Sequence, residues 1–158
     1  MTDTEGSSFA VRTIGFVASP RREAIDDDWG EVEATITLVA PYGADALRGL
    51  DAFSHVEVIY LFHGVDAESV HTGTRVPRGN PAWPEVGIFA QRARNRPNRL
   101  GLATCDVVAV TGNTLRVRGL DAIDGTPVLD LKPYMSEFGP RGRVVQPEWS
   151  HELMANYY

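Results

Sequence analysis

The sequence predicts a mainly β fold: a single-domain antiparallel β-barrel with few short helices. Three observations predict it. Apolar and polar residues alternate with a period of two through several runs, turn residues separate those runs at short intervals, and long helical repeats are missing. At 158 residues with 43% hydrophobic content, the chain is the length of one domain and has enough apolar side chains for a core without staples.

The elements follow in order. Residues 11–19 read as a first strand that Ser19-Pro20 closes, because proline and its predecessor leave a sheet rather than extend it. An acidic loop follows, Asp26-Asp27-Asp28-Trp29-Gly30. Its adjacent carboxylates lack calcium-loop spacing, so a solvated loop is expected there, with Trp29 available as a stacking wall. Residues 31–38 alternate strictly, Val32, Ala34, Ile36 and Leu38 against Glu31, Glu33, Thr35 and Thr37, which is a half-buried strand. Residues 44–50 permit a short helix. Residues 55–63 are nearly continuous in β-favouring residues and predict a strand buried on both faces. His55 at its start fits a packing role with a satisfied ring; His63, where the strand enters a loop, is better placed for a site.

Residues 64–84, rich in Gly, Pro, Arg and Asn, form a loop too long for a simple turn. Next come a strand-like run at 86–90, an arginine loop, and a strand over 100–110. Thr111-Gly112-Asn113 is a hairpin turn into the alternating run 115–120. Residues 121–126 make a second turn, in which Gly125 supplies the positive φ, and 127–134 a last strand. The tail, with Trp149, Leu153, Met154, Tyr157 and Tyr158, is expected to form a helix or to cover a neighbouring surface.

Charge and composition exclude several functions. A formal charge of −6 argues against a protein that coats nucleic acid nonspecifically. The charge is unevenly spread: residues 75–99 hold six arginines and one acid, Glu85, whereas 23–33 hold acids and no base, which predicts one basic face. No apolar run of 18 residues occurs and the first eight residues are polar, so a cytoplasmic protein without a membrane span is expected. Cys105 is the one cysteine and lies in a strand-like run, which predicts a buried, inert thiol and no cysteine-based metal site. Neither a Rossmann fingerprint nor a P-loop occurs.

Three polar stations stand at strand ends. They are His63-Gly64, the arginine loop with Arg92, Arg94, Arg96 and Arg99, and Asp121-Ala122-Ile123-Asp124-Gly125-Thr126-Pro127 with Asp130, Lys132 and Tyr134 following. In a closed sheet, strand ends on one rim converge, so the stations are expected to line one cleft. Guanidinium groups there suit anions, carboxylates or planar bases.

Five stretches carry a family resemblance: Ile14-Gly-Phe-Val-Ala-Ser-Pro, Leu50-Asp-Ala-Phe-Ser-His-Val, Gly87-Ile-Phe-Ala-Gln-Arg with Arg96-Pro-Asn, Gly119-Leu-Asp-Ala-Ile-Asp-Gly-Thr-Pro-Val and Asp130-Leu-Lys-Pro-Tyr. In this order and spacing the chain resembles the TrmO (YaeB-like) family of S-adenosylmethionine-dependent tRNA methyltransferases, whose members modify N6 of threonylcarbamoyladenosine beside the anticodon. The resemblance implies a dimeric β-barrel over residues 11–135, preceded by a flexible stretch at 1–10 and followed by a C-terminal tail, 136–158, packed on the barrel or on a dimer partner.

For the cofactor, S-adenosyl-L-methionine, the resemblance implies contacts from His63, Gly64, Arg92, Leu102, Asp121, Ala122, Ile123 and Asp124. No metal is implied. N6 of adenine is a poor nucleophile that needs a proton acceptor, for which Asp124 is the first candidate and Asp130 and Tyr134 the alternates. Arg94, Arg96, Arg99 and Lys132 are candidates for contact with tRNA, Lys132 alternatively holding Asp130. Two features depart from the family pattern. An acidic run replaces a Pro-Arg-Gln segment after the first strand, and the smaller second domain of longer members is missing. They keep two alternatives open: the same barrel and cofactor with a small molecule or another RNA as acceptor, and a noncatalytic S-adenosylmethionine-binding module.

Overall fold

A computed structural model describes residues 6–158; the first half of the stretch expected to be flexible, residues 1–5, lies outside the described residues. Eight strands form, β1 (Gly15–Ala18), β2 (Glu33–Leu38), β3 (His55–Leu61), β4 (Thr74–Arg75), β5 (Val86–Gly87), β6 (Leu100–Thr111), β7 (Thr114–Arg118) and β8 (Pro127–Pro133), with two short helices, α1 (Ala44–Leu47) and α2 (Glu148–Met154). Six strands close an antiparallel barrel in the order β1-β2-β7-β6-β3-β8, while β4 and β5 pair separately.

Alternation sets which side chains fill the barrel. Ala34, Ile36 and Leu38 from β2, Val56, Val58 and Tyr60 from β3, Ala103 and Cys105 from β6, and Leu115 and Val117 from β7 make the core. The strand expected to be buried on both faces is corrected here: β3 fully buries only alternate residues, and Ile59 and Leu61 are half-buried on the outer wall. An antiparallel barrel has one dry side, so an apolar outer residue marks a partly covered surface rather than a second core. The run at 86–90 is also shorter than expected as a strand, ending at Gly87 and turning into a single 3-10 turn over Ile88–Ala90.

Strand lengths leave the wall incomplete at one place. β6 is 12 residues long and pairs with β3 from Leu100 to Asp106, but β7 pairs with β6 only from Asp106 onward. The backbone edge of β6 before Asp106 therefore faces away from β3 without a strand partner. Beyond Arg118 the chain leaves the sheet beside this gap and runs through Gly119 and Leu120 to Asp121. At the other end, Leu47 of α1 plugs the barrel and a cleft of about 460 Å³ opens among Ile14, Leu38, Tyr42, Phe53 and Leu131.

Candidate functional site

Asp121 is the centre of the gap. The phenol of Tyr60, 1% exposed, reaches from β3 through the barrel and donates to Asp121 Oδ1 at 2.7 Å and to its backbone carbonyl at 3.2 Å. Gly101 makes this possible. It is the cross-strand partner of Tyr60, and the Tyr60 ring lies so close over it that a Cβ there would fall 2.4 Å from two ring carbons. The second carboxylate oxygen, Oδ2, accepts from the phenol of Tyr157 in the tail. Burial pushes both phenols well above the ordinary tyrosine range, with the Asp121 charge adding to it, so both stay protonated donors. Among the described residues no arginine, lysine or histidine forms an ion pair with Asp121.

Next to Asp121 lies the turn over residues 123–126, which carries Asp124 and His63 to the same rim. Gly125 takes φ 80°, the left-handed conformation expected of it, and Thr126 Oγ1 donates to Ile123 O at 2.7 Å. Asp124 Oδ1 accepts the Ser19 backbone N–H at 3.0 Å, and the Asp124 N–H donates to Arg21 O at 2.7 Å. One oxygen thus ties the end of β1 to the turn, and Oδ2 takes no hydrogen bond among the described residues. A Cβ on Gly125 would sit 3.8 Å from His63 Nε2, and one on Gly64 would sit 3.8 Å from Ile123 Cδ1, so His63-Gly64 and residues 121–125 share one edge.

The arginine loop closes the other side of the gap. Arg92 Nη2 donates to Leu102 O at 2.6 Å, on the β6 edge that no strand covers. Arg94 donates to Ala24 O (3.2 Å), Arg96 to Gln91 O (2.7 Å) and Arg99 to Val65 O (2.6 Å). All four arginines bond backbone carbonyls, and none forms an ion pair among the described residues. Their charges stay available to anions while their positions are fixed. Gln91, 8% exposed, holds the loop from within by donating to the carbonyls of Arg75 and Val86, both at 3.1 Å.

Three candidates fall elsewhere. Asp130 pairs opposite Ile59, bonds Lys132 Nζ at 2.9 Å and borders the cleft at the α1 end. Tyr134 packs edge-on to His55 at 6.5 Å. His55 starts β3 and His63 follows its end, so the eight intervening steps separate them by about 25 Å of extended chain. Lys132 and Tyr134, which sit opposite the His55 end of β3, are therefore not brought to the Asp121 rim within one chain, and Asp130 is engaged by Lys132 beside the α1 cleft. His55 has partners on both ring nitrogens, Ser54 Oγ at 2.7 Å and Asp106 at 3.0 Å, as expected of a satisfied ring.

The acidic loop is less solvated than its composition implies. Asp27 is paired with Arg78 at 2.9 Å, and Arg21 donates to Asp27 O while stacking 4.4 Å over the Trp29 ring. Trp29, expected as an exposed stacking wall, is 3% exposed and donates its indole N–H to Ile25 O at 3.1 Å. That expectation is corrected: the ring face is covered by a guanidinium of its own loop. Cys105 is buried as expected, and burial pushes its thiol far above the usual range.

Sequence reasoning missed Tyr60, Tyr157 and Gln91. Tyr60 carried one signal, a polar tip at an inward position of β3 opposite a glycine. Tyr157 carried none that tied it to Asp121, 36 residues earlier.

The sequence pattern of the tRNA-methyltransferase O N-terminal domain matches residues 18–139. The chain belongs to this family. It is 38% identical over 141 residues to an Escherichia coli protein named tRNA (adenine(37)-N6)-methyltransferase, a match that covers 82% of this chain and 59% of the relative. A Methanothermobacter thermautotrophicus relative, named a probable S-adenosyl-L-methionine-binding protein, is 36% identical over 90% of this chain and 99% of its own length. Among solved structures, TrmO from Pseudomonas aeruginosa superposes with a TM-score of 0.75 at 27% identity, covering 93% of this chain and 64% of that one. The chain thus spans about three fifths of the bacterial TrmO proteins and nearly all of the archaeal relative. The antiparallel β-barrel expected for the family is the fold observed, and six strands close it.

Proposed function

We propose that the chain is an S-adenosylmethionine-dependent methyltransferase that modifies N6 of threonylcarbamoyladenosine beside the anticodon of a tRNA in the cytoplasm, acting as a homodimer. The observation that carries the reading is the carboxylate of Asp121. It is partly buried, held by two phenols, has no ion-pair partner among the described residues, and stands in the gap of a TrmO-family barrel. Such a carboxylate among aromatic rings, opposite a fixed arginine, suits a ligand that carries both a cation and a carboxylate.

The donor set fits S-adenosylmethionine. Asp121 would hold a cationic or hydroxyl group, Arg92 a carboxylate, and the uncovered β6 edge at Leu102 together with Ala122 and Ile123 the adenine, with His63-Gly64 closing the edge. The sulfonium supplies an activated methyl group when the cofactor is bound. Placing the acceptor in line is then the chief task of the protein. Asp124, with one oxygen anchored to Ser19 N and the other open, is positioned to accept or orient the N6 proton. Arg94, Arg96 and Arg99 line the basic side toward tRNA phosphates; the helix-end cluster of Asp130, Lys132 and Tyr134 would join a site only across a dimer axis. Exposed Phe89 (76%), Leu100 (43%) and Leu102 (44%) beside the arginine loop provide an apolar surface for that dimer. No helix among the described residues is long and apolar enough to cross a membrane.

One observation favours a second reading, S-adenosylmethionine binding with another acceptor or with none: the relative matched nearly end to end is named only for binding. Mass spectrometry of tRNA nucleosides from cells with and without the gene separates the two. The proposed function requires methylated threonylcarbamoyladenosine to disappear without the gene and return with it; an unchanged level removes the tRNA assignment.

A further inference from the structure

Residues 148–158 do not hang free. The Asn156 and Tyr157 carbonyls accept the backbone N–H groups of Asp28 (2.9 Å) and Trp29 (2.8 Å), so the tail is laid along the acidic loop. Glu152 on α2 accepts the Trp83 indole N–H at 2.7 Å, a second anchor on a different loop. Gly30 supplies the third. The Tyr158 backbone occupies the place where any side chain would begin, its carbonyl carbon lying 2.7 Å from an ideal Cβ on Gly30. Anchored at these points, the tail delivers the Tyr157 phenol to Asp121 Oδ2, with the Tyr158 ring packed edge-on against it at 4.9 Å.

The consequences fall on the site. Tyr60 holds Asp121 from inside the barrel and Tyr157 from outside, so one wall of the gap comes from a segment separated from the barrel strands. Burial and then the Asp121 charge push the Tyr158 phenol up to about 12, with Arg92 acting the other way, which places both tail tyrosines in the field of the two residues expected to meet the cofactor. A carboxylate with two phenol donors and no ion-pair partner among the described residues has its direction fixed and its charge uncompensated.

We infer that residues 148–158 form an integral wall of the cofactor site, and that Tyr157 is a positioning residue which aims the Asp121 carboxylate at the sulfonium of the bound molecule. This rests on the S-adenosylmethionine reading above. It adds a role for the tail that the family match, which ends at residue 139, does not cover.

The test uses the full chain with two substitutions, Tyr157→Phe and Gly30→Ala, titrated calorimetrically with S-adenosylmethionine and with S-adenosylhomocysteine, whose sulfur is neutral. Amide hydrogen exchange at Asp28 and Trp29 reports tail docking, and thermal melting reports folding. Tyr157→Phe is expected to keep amide protection and to weaken S-adenosylmethionine binding by about tenfold, the worth of one charge-assisted hydrogen bond, and S-adenosylhomocysteine by less. Gly30→Ala is expected to lose the protection and to weaken both ligands. Wild-type or tighter binding by Tyr157→Phe overturns the inference, because the tail is then a bystander or a competitor; equal weakening of the two ligands by Tyr157→Phe overturns the aiming role. If the unmodified chain binds neither ligand, the cofactor reading itself fails and the inference with it.

Discussion

Gly101→Ala tests the geometry on which the site is built. An alanine in place of a strand glycine normally stabilises by about 0.5–1 kcal/mol, since glycine loses more backbone freedom on folding. Here the sign reverses. The added Cβ would lie 2.4 Å from ring carbons of Tyr60, inside any tolerable contact, and the ring is 1% exposed with a core packed around it. Overpacking of this kind costs about 1–3 kcal/mol. A ring displaced to make room also loses its 2.7 Å bond to Asp121 Oδ1, and a hydrogen bond to a charged group contributes about 1.5–3 kcal/mol. Together these give about 2.5–6 kcal/mol of destabilisation. With a urea slope near 2 kcal/mol per M, the unfolding midpoint falls by about 1–3 M. The assay is urea denaturation of Gly101→Ala, Tyr60→Leu and the double variant. Once leucine has removed the ring, alanine at 101 should cost little, so the two effects should be strongly non-additive. A Gly101→Ala loss below about 0.5 kcal/mol, or simple additivity, would refute the claim that Tyr60 is held over Gly101 to reach Asp121.

Two further predictions concern protons. Cys105 and Tyr60 keep their protons in the folded chain beyond the pH at which the unfolded chain releases them, so their contribution is complete below about pH 8 and is lost as pH rises. Each costs about 1.4 kcal/mol per pH unit above its unfolded value; urea midpoints should therefore fall from pH 8 to pH 10.5, less so in Cys105→Ala and Tyr60→Phe, and a flat profile would contradict it. Asp124→Asn keeps an oxygen for the Ser19 N–H but accepts no proton, so methyl transfer should fall by about 10²-fold or more, a larger loss than that of cofactor affinity. Single-turnover kinetics beside calorimetry checks this, and an unaltered rate would remove Asp124 as proton acceptor.

What the sequence made legible follows the reach of its patterns. Strict alternation at Glu33, Ala34, Thr35, Ile36, Thr37 and Leu38 gave β2 and its inward face, and the Thr111-Gly112-Asn113 turn gave the β6–β7 hairpin. Boundaries were less visible: the first strand begins at Gly15, since nothing in Val11 or Arg12 announces that pairing starts three residues on. The overhang of β6 beyond β7, which makes the gap, depends on the relative length of paired strands and has no local signature. Composition misjudged Trp29 and the acidic loop, because Arg78 and the tail that cover the loop come from other parts of the chain and nothing local announces that Arg21 folds over the Trp29 ring. For the same reason the motif positions His63, Arg92 and Asp121 to Asp124 could be picked out along the chain, whereas Tyr60 and Tyr157, which hold Asp121, could not.

Calorimetric titration of the full chain with S-adenosylmethionine, beside Arg92→Ala and Asp121→Asn, tests the central claim most directly. The site described here predicts one molecule bound per chain, with affinity reduced about tenfold or more in each variant, since each removes a charged partner of the ligand. No heat of binding to the unmodified chain, or equal affinity in all three proteins, would contradict it.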